Sequence, residues 1–235
     1  MEQIFNANGL LFWNEKEIKL RETIRDLFSL EVKSILLDIN PAWKFYQIEA
    51  PILTPTELIN PNYTEADVWL QQDKKFVLRP ETTPGSYEYA NHLLKQQLVK
   101  PPFCVFQSGK SFRIEQDQTI KQMRLKEFYQ LEFQCIYTAD TAVDYMERAA
   151  SQIEKSIKQI VGLPARLVLS DRLPNYSLKT LDVEIDNGDK WMEVCSMSLR
   201  TDFKTKVKFK DVEKELRVFE IALGLDRCVY NFLQK

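Results

Sequence analysis

Apolar side chains recur at helical spacing through Ile18, Ile24, Leu27, Phe28, Val32, Ile35 and Leu36, which predicts one long amphipathic helix ending near Ile39. Asn14 precedes it with Glu17 three positions on, so the cap and the third helical side chain can satisfy each other's backbone donors. The helix should stop before Asn40-Pro41, because a proline ring disfavours helical geometry in the residue before it. From Trp43 to Ala50 the pattern turns to alternation, with Phe45, Gln47 and Glu49 set against Tyr46 and Ile48, and Pro51 marks the end or edge of that strand. Residues 54–73 are rich in proline and polar side chains and read as a loop carrying a short helix at Glu65 to Leu70. A strand from Phe76, broken at Pro80, leads to a helix over Ser86 to Val99. A second amphipathic helix spans Thr138 to Val161, with Val143, Met146, Ala150, Ile153, Ile157 and Ile160 on its stripe, and Gly162 and Pro164 end it.

The remaining segments alternate as strands do. Phe103 to Ile136 reads as two strands joined by a polar loop, with Phe112, Ile114, Leu125 and Tyr129 on one face and Arg113, Glu115, Arg124, Lys126 and Phe128 on the other. Antiparallel pairing would stand Arg113, Glu115, Arg124 and Glu132 side by side. Such a face serves a solvated hairpin with cross-strand ion pairs. It equally serves a site where arginines grip phosphates and an aromatic ring covers a base. Strands follow at Arg166 to Ser170 and Tyr176 to Ile185, the turn Asn187-Gly188 returns the chain along Lys190 to Phe203, and Leu216 onward passes through Gly224 into a short C-terminal helix. Between them lies a lysine run, Lys204, Lys206, Lys208, Lys210 and Lys214, that reads as a solvated edge or as a contact for an RNA backbone.

Composition narrows the class. The 235 residues are 44% hydrophobic and 28% charged, as in a globular domain, and the net charge of −2 confines any nucleic-acid contact to a local patch. Cys104, Cys135, Cys195 and Cys228 form no close pair in sequence and His92 is the sole histidine, which argues against a zinc site and against a nucleophilic triad. Cysteines in such apolar surroundings are expected to be buried thiols of a reducing cytoplasm. No basic segment leads into an apolar run and no stretch approaches a membrane span, so no membrane partner is expected.

Phe112-Arg113-Ile114-Glu115, followed by Arg124 and Phe128, resembles the second signature motif of class II aminoacyl-tRNA synthetases, and Glu127 to Glu132 is similar to its glycyl branch. The long helix running into a proline-ended strand resembles the first motif, and Gly224-Leu225-Asp226-Arg227 the third. Arg79-Pro80-Glu81-Thr82 resembles the glycyl-type amino-acid loop, while Trp191-x-Glu193-Val194 and Arg200-Thr201-Asp202-Phe203 resemble strands of glycyl, threonyl and prolyl enzymes. This resemblance implies an α+β fold, an antiparallel β-sheet flanked by helices, with residues 1–235 forming a single catalytic domain that lacks the anticodon-binding domain of glycyl enzymes. It implies activation of a small amino acid, glycine favoured, by ATP with Mg2+, and a homodimer formed through the first motif. In that comparison Arg113 is catalytic and contacts the α-phosphate, and Arg227 shares the catalytic role. Glu115, Arg124, Phe128, Glu220 and Arg227 complete the ATP site, Phe128 and Arg227 sandwiching adenine and Glu220 binding magnesium. Glu81, Thr82, Glu132 and Glu193 hold the amino acid.

The chemistry suits these residue types, since a carboxylate attacking a phosphate needs two anions held together and their charge stabilised, with no protein nucleophile. The chain departs from the glycyl pattern at Ala222, where serine is usual, at Ser196 for glycine, at Leu199 for aspartate, and at Thr83-Pro84 for Ala-Gln. The acceptor is expected to be the tRNA acceptor stem. A carrier protein or small molecule is the alternative, and a non-catalytic accessory relative the third reading.

Overall fold

The computed structural model describes residues 5–7, 10–114, 123–209 and 212–234. A short antiparallel pair not anticipated from the sequence, β1 (Phe5–Ala7) and β2 (Leu10–Phe12), precedes helix α1 (Glu15–Ile39). The expected cap is present: Glu17 N donates to Asn14 Oδ1 at 3.1 Å and Asn14 N donates to Glu17 Oε2 at 2.7 Å. Ile24, Phe28, Val32, Ile35 and Leu36 are its buried face, and Asn40 is already extended ahead of Pro41.

Strands β3 (Lys44–Gln47), β4 (Leu53–Pro55) and β5 (Phe76–Leu78), helix α2 (Thr83–Lys95), strands β6 (Phe103–Phe112) and β7 (Glu127–Thr138) and helix α3 (Tyr145–Val161) follow in order. The chain continues through β8 (Ala165–Leu169), β9 (Ser177–Asp186), β10 (Trp191–Arg200), β11 (Lys206–Phe209) and β12 (Val212–Gly224) to helix α4 (Leu225–Leu233). The main sheet runs β3-β6-β7-β12-β10-β9-β8, with β11 paired to the outer end of β12, and among the described residues only the β3/β6 pair is parallel.

Alternation gives this sheet two unlike faces. Cys104, Phe106, Leu131, Phe133, Cys135, Ile221 and Leu223 point to one side and form the main core with α1, α3 and α4. The other side is apolar only at one end, where Phe103, Val105, Ile136 and Val218 pack under Ala90 and Leu93 of α2. Further along the same face the residues become Gln107, Glu132, Gln134, Glu220, Ser196 and Ser198; Thr83 and Ser86 in the first turn of α2 bond to the first four, while Ser196 and Ser198 line a cavity. A polar stripe on a central sheet face is costly unless its groups are paired or meet a ligand.

Local differences from the sequence reading have identifiable causes. The β6/β7 ladder ends at Phe112↔Glu127, so Arg113, Ile114, Arg124 and Leu125 lie in the connection rather than on strands, although Arg113 N still donates to Lys126 O at 2.9 Å. The helix expected at Glu65 to Leu70 is absent: Asp67 accepts from Thr64 N and Oγ1, closing a turn, and Leu70 bridges to Val77. A 3₁₀ turn at Thr56–Leu58 takes its place. Helix α2 starts earlier than Ser86 because Pro84 fits the first turn, where no backbone N–H is needed. Helix α3 starts later than Thr138, at its cap Asp144, because β7 runs on to Thr138. Gly162 ends α3 in the left-handed region (φ 70) and Gly188 turns the β9/β10 hairpin (φ 89), both at the predicted positions. In the lysine run Lys206 pairs with Glu213 and Lys214 with Asp140, and Lys210 lies outside the described residues. All four cysteines are free and buried. Among the described residues no helix is long and apolar enough to cross a membrane.

Candidate active site

The polar stripe floors a cavity of about 360 Å³. Eight of the residues singled out in the sequence line it: Glu81, Arg113, Arg124, Phe128, Glu132, Glu193, Glu220 and Arg227. Thr82 stands just behind, its hydroxyl donating to Glu132 Oε2. Glu115 lies outside the described residues.

The strand register explains the convergence. Gln107, Glu132, Ala222, Ser196 and Asp182 are partners in one row across β6, β7, β12, β10 and β9, and Gln134, Glu220, Ser198 and Thr180 form the next row. Residues far apart in sequence therefore stand a strand spacing apart, about 4.8 Å. Glu81 arrives from the β5–α2 connection, which Arg79 anchors by donating to Ala50 O at 2.8 Å and Lys110 O at 2.9 Å. This buried guanidinium lies so close to β6 that a Cβ on Gly109 would come within 2.1 Å of it and would have to displace it.

Glu81, Glu132 and Glu220 form one buried cluster around a single cation, Arg200. Glu220 Oε1 accepts from Arg200 Nη1 and Gln134 Nε2, both at 2.8 Å, and from Thr83 Oγ1 at 3.1 Å. Glu81 Oε1 is 3.7 Å from Arg200 Nη2 and has no hydrogen-bond partner among the described residues. Arg200 is 1% exposed, is also held by Asp202 at 2.6 Å, and stacks 4.0 Å from the centre of the Tyr176 ring. Burial first, then the charges of Glu220 and Glu81, push the Glu132 carboxyl up to about 8. Burial likewise raises Glu81, against the pull of Arg200. The three carboxylates share Arg200 and line the cavity, which suits a site for a small cation.

Glu193 is not the third acid of this cluster, as the resemblance implied; Glu220 is. Glu193 sits two strands from Glu132, on the α4 side, paired with Arg172 at 2.8 Å and Arg227 at 3.4 Å. It faces the cavity at all because β10 carries a bulge between Glu193 and Cys195, which shifts the alternation by one residue. Glu220 as a magnesium ligand does not fit this arrangement, because an ion bound there would face the Arg200 guanidinium across the same carboxylate. Among the described residues no group of three or more His, Cys, Asp or Glu is placed to hold a metal.

On the other side of the cavity, Arg113 Nε donates to Pro80 O at 2.9 Å, and its guanidinium lies 5.1 Å from the Phe128 ring and 5.5 Å from the Tyr63 ring. The cation beside Phe128 is thus Arg113, while Arg227 Nη1 donates to Glu193 O at 2.9 Å. Asp226 ties these parts together: its Oδ2 accepts from Tyr129 N at 2.8 Å, and Oδ1 lies 3.7 Å from Arg21 of α1, whose guanidinium covers the Tyr129 ring at 3.7 Å. Phe128 and Arg227 are the immediate neighbours of the two residues so joined. Arg200, Tyr63 and Tyr176 carry no assigned role in the sequence reading. For Arg200 the available signal was its place after Ser196 and Ser198 on a polar-facing strand; for the two tyrosines, in loops, there was none.

A cavity with arginines on one wall and an acidic cluster on another can hold an anion and a cation side by side. Residues 66–234 match the tRNA synthetase class II core domain (G, H, P, S and T), and the chain belongs to this family. It is 32% identical over 157 residues to a glycine–tRNA ligase of Mycoplasma capricolum, covering 64% of this chain and 34% of that protein. It is 27% identical over 183 residues to the glycine–tRNA ligase of Mycoplasma genitalium, covering 70% and 41%. The chain spans little more than a third of the length of these relatives. In fold it is similar to the prolyl-tRNA synthetase from Cryptosporidium parvum complexed with halofuginone and AMPPNP, with a TM-score of 0.77 at 12% identity over 99% of this chain and 49% of that one.

Proposed function

We propose that this protein activates a small amino acid, glycine first, with ATP and passes the acyl group to the acceptor stem of tRNA. The observation that carries the reading is the meeting of the buried Glu81, Glu132 and Glu220 carboxylates with Arg113, Arg124 and Arg227 in one cavity. The substrate ammonium enters the acidic cluster and adds a positive charge to it. The substrate carboxylate then attacks the α-phosphorus of ATP: a carboxylate–phosphorus bond forms and the bond to the departing pyrophosphate breaks. Arg113 neutralises the oxygens that gain charge, Phe128 offers its ring to adenine, and Arg124 and Arg227 take the phosphate tail. Magnesium accompanies ATP as its counter-ion. The protein supplies position and charge, and no nucleophile of its own.

We propose a homodimer through α1 and the edge strand β3, supported by Leu27, Leu30 and Leu37, which α1 leaves exposed. Amino-acid-dependent exchange of pyrophosphate into ATP, scanned over the twenty amino acids, tests the activity. Glycine should give the fastest exchange, and Arg113→Ala should slow it by about 10²–10³-fold, as for loss of an oxyanion donor. Absence of exchange with every amino acid would refute the reading. Exchange without charging of tRNA would redirect it to a carrier protein or small-molecule acceptor.

A further inference from the structure

Tyr63 lies between β4 and β5, beyond the 3₁₀ turn at Thr56–Leu58, in a stretch that is tied down on both sides of the ring. Its own backbone N–H donates to Asn60 O at 3.0 Å, and the buried Asn60 side chain donates to Asp202 Oδ2 at 3.1 Å, the carboxylate that also holds Arg200. Beyond Tyr63, Ile114 N donates to Asp67 O at 2.9 Å and Leu78 N to Trp69 O at 3.0 Å. The loop is thus fixed to the end of β10, to the residue following Arg113 and to β5, and these ties set Tyr63 in the wall of the cavity. Its ring backs the Arg113 guanidinium at 5.5 Å, with Phe128 also against that cation. Glu81, Glu132 and Tyr176 line the same cavity as Tyr63. Burial holds the phenol well above its ordinary range, and it remains a neutral wall at any working pH. Tyr176, whose ring lies 4.0 Å from the Arg200 guanidinium, lines the cavity as well.

We propose that Tyr63 is a specificity-determining residue: together with Tyr176, its ring closes the space over Glu81 and Glu132, so an amino acid can place its ammonium there only if its side chain is small. The inference rests on the activation reading above and assigns the size limit of that site. Ala222 and Ser196, which floor the site between Glu132 and Asp182, are small and leave room below; the restriction comes from the roof. Selectivity of this kind comes from steric exclusion and scales with the methylenes excluded, roughly 10–200-fold for each.

The test compares wild type, Tyr63→Phe and Tyr63→Ala in pyrophosphate exchange with glycine, alanine, serine and 2-aminobutyrate. Tyr63→Ala should lower the glycine-over-alanine ratio of kcat/KM by about tenfold or more and admit 2-aminobutyrate, while Tyr63→Phe, which keeps the ring, retains the ratio. Because the ring also backs Arg113, the same ratio is read a second time as amino-acid binding by calorimetry, with thermal melts showing that each variant is folded. An unchanged ratio in folded Tyr63→Ala, by both readouts, would overturn this inference and leave the activation reading standing. Failure of the wild type to bind or activate any amino acid would overturn both.

Discussion

Changing the pH from 6 to 8 should tighten the binding of glycine by about fifty-fold. In the empty protein the Glu132 carboxyl titrates at about 8, raised by burial and by Glu220 and Glu81, so it is mostly protonated at neutral pH. An ammonium ligand pairs with the ionised form. With that value, roughly 1% of molecules carry the ionised carboxylate at pH 6 and about half do at pH 8, a difference worth about 2 kcal/mol in apparent affinity. A free amino acid keeps its ammonium group throughout this range, so the dependence belongs to the protein. Calorimetry in two buffers of different ionisation heat should find close to one proton released per glycine bound at pH 6.5, and Glu132→Gln should abolish the release. Glu81 and Glu220 share the same field, so Glu81→Gln should move the titration downward by removing one of the charges that raise it. The same proton acts on stability with a definite sign. Because the folded value lies above the ordinary 4.5, the contribution of Glu132 is fully present below about 4.5 and is lost as the pH rises through about 8. Affinity that varies less than about twofold between pH 6 and 8, with no proton released, would refute the reasoning.

Two further expectations concern the frame of the site. Asp226→Ala leaves the Tyr129 N–H without its acceptor and Arg21 without its counter-charge, and should cost about 3 kcal/mol in urea denaturation, whereas Asp226→Asn, which keeps an acceptor, should cost less. Asn14→Ala removes the cap of α1 and should cost about 1 kcal/mol, read as a lower melting temperature with unchanged pyrophosphate exchange.

What was legible in the sequence was local. The cap Asn14 with Glu17, the stop before Pro41, the end of α3 at Gly162 and the hairpin at Asn187-Gly188 each follow from a few adjacent residues, and the structure has all of them. Alternation at Arg113-Ile114 and Arg124-Leu125 continues past the last paired residues of β6 and β7, because a side-chain pattern does not report where two chains part. That Glu81, Arg113, Glu132, Glu220 and Arg227 share one site was implied by the family resemblance, and these five line one cavity. Which acids sit together was not legible. That choice is made by cross-strand register, which sets Gln134 against Glu220, and by a bulge that sends Glu193 toward Arg227. Tyr63 and Arg200 were given no role: Tyr63 lies in a loop with no periodicity, and Arg200 meets Glu81 and Glu220 only once the sheet and the β5–α2 connection are assembled.

A crystal structure with a non-hydrolysable glycyl-adenylate analogue bears most immediately on the site assignment. The ammonium should lie within hydrogen-bonding distance of Glu81 and Glu132, the phosphate mimic against Arg113 and the adenine on Phe128. An analogue seated elsewhere, or one that binds with its ammonium turned away from those two carboxylates, would contradict the assignment.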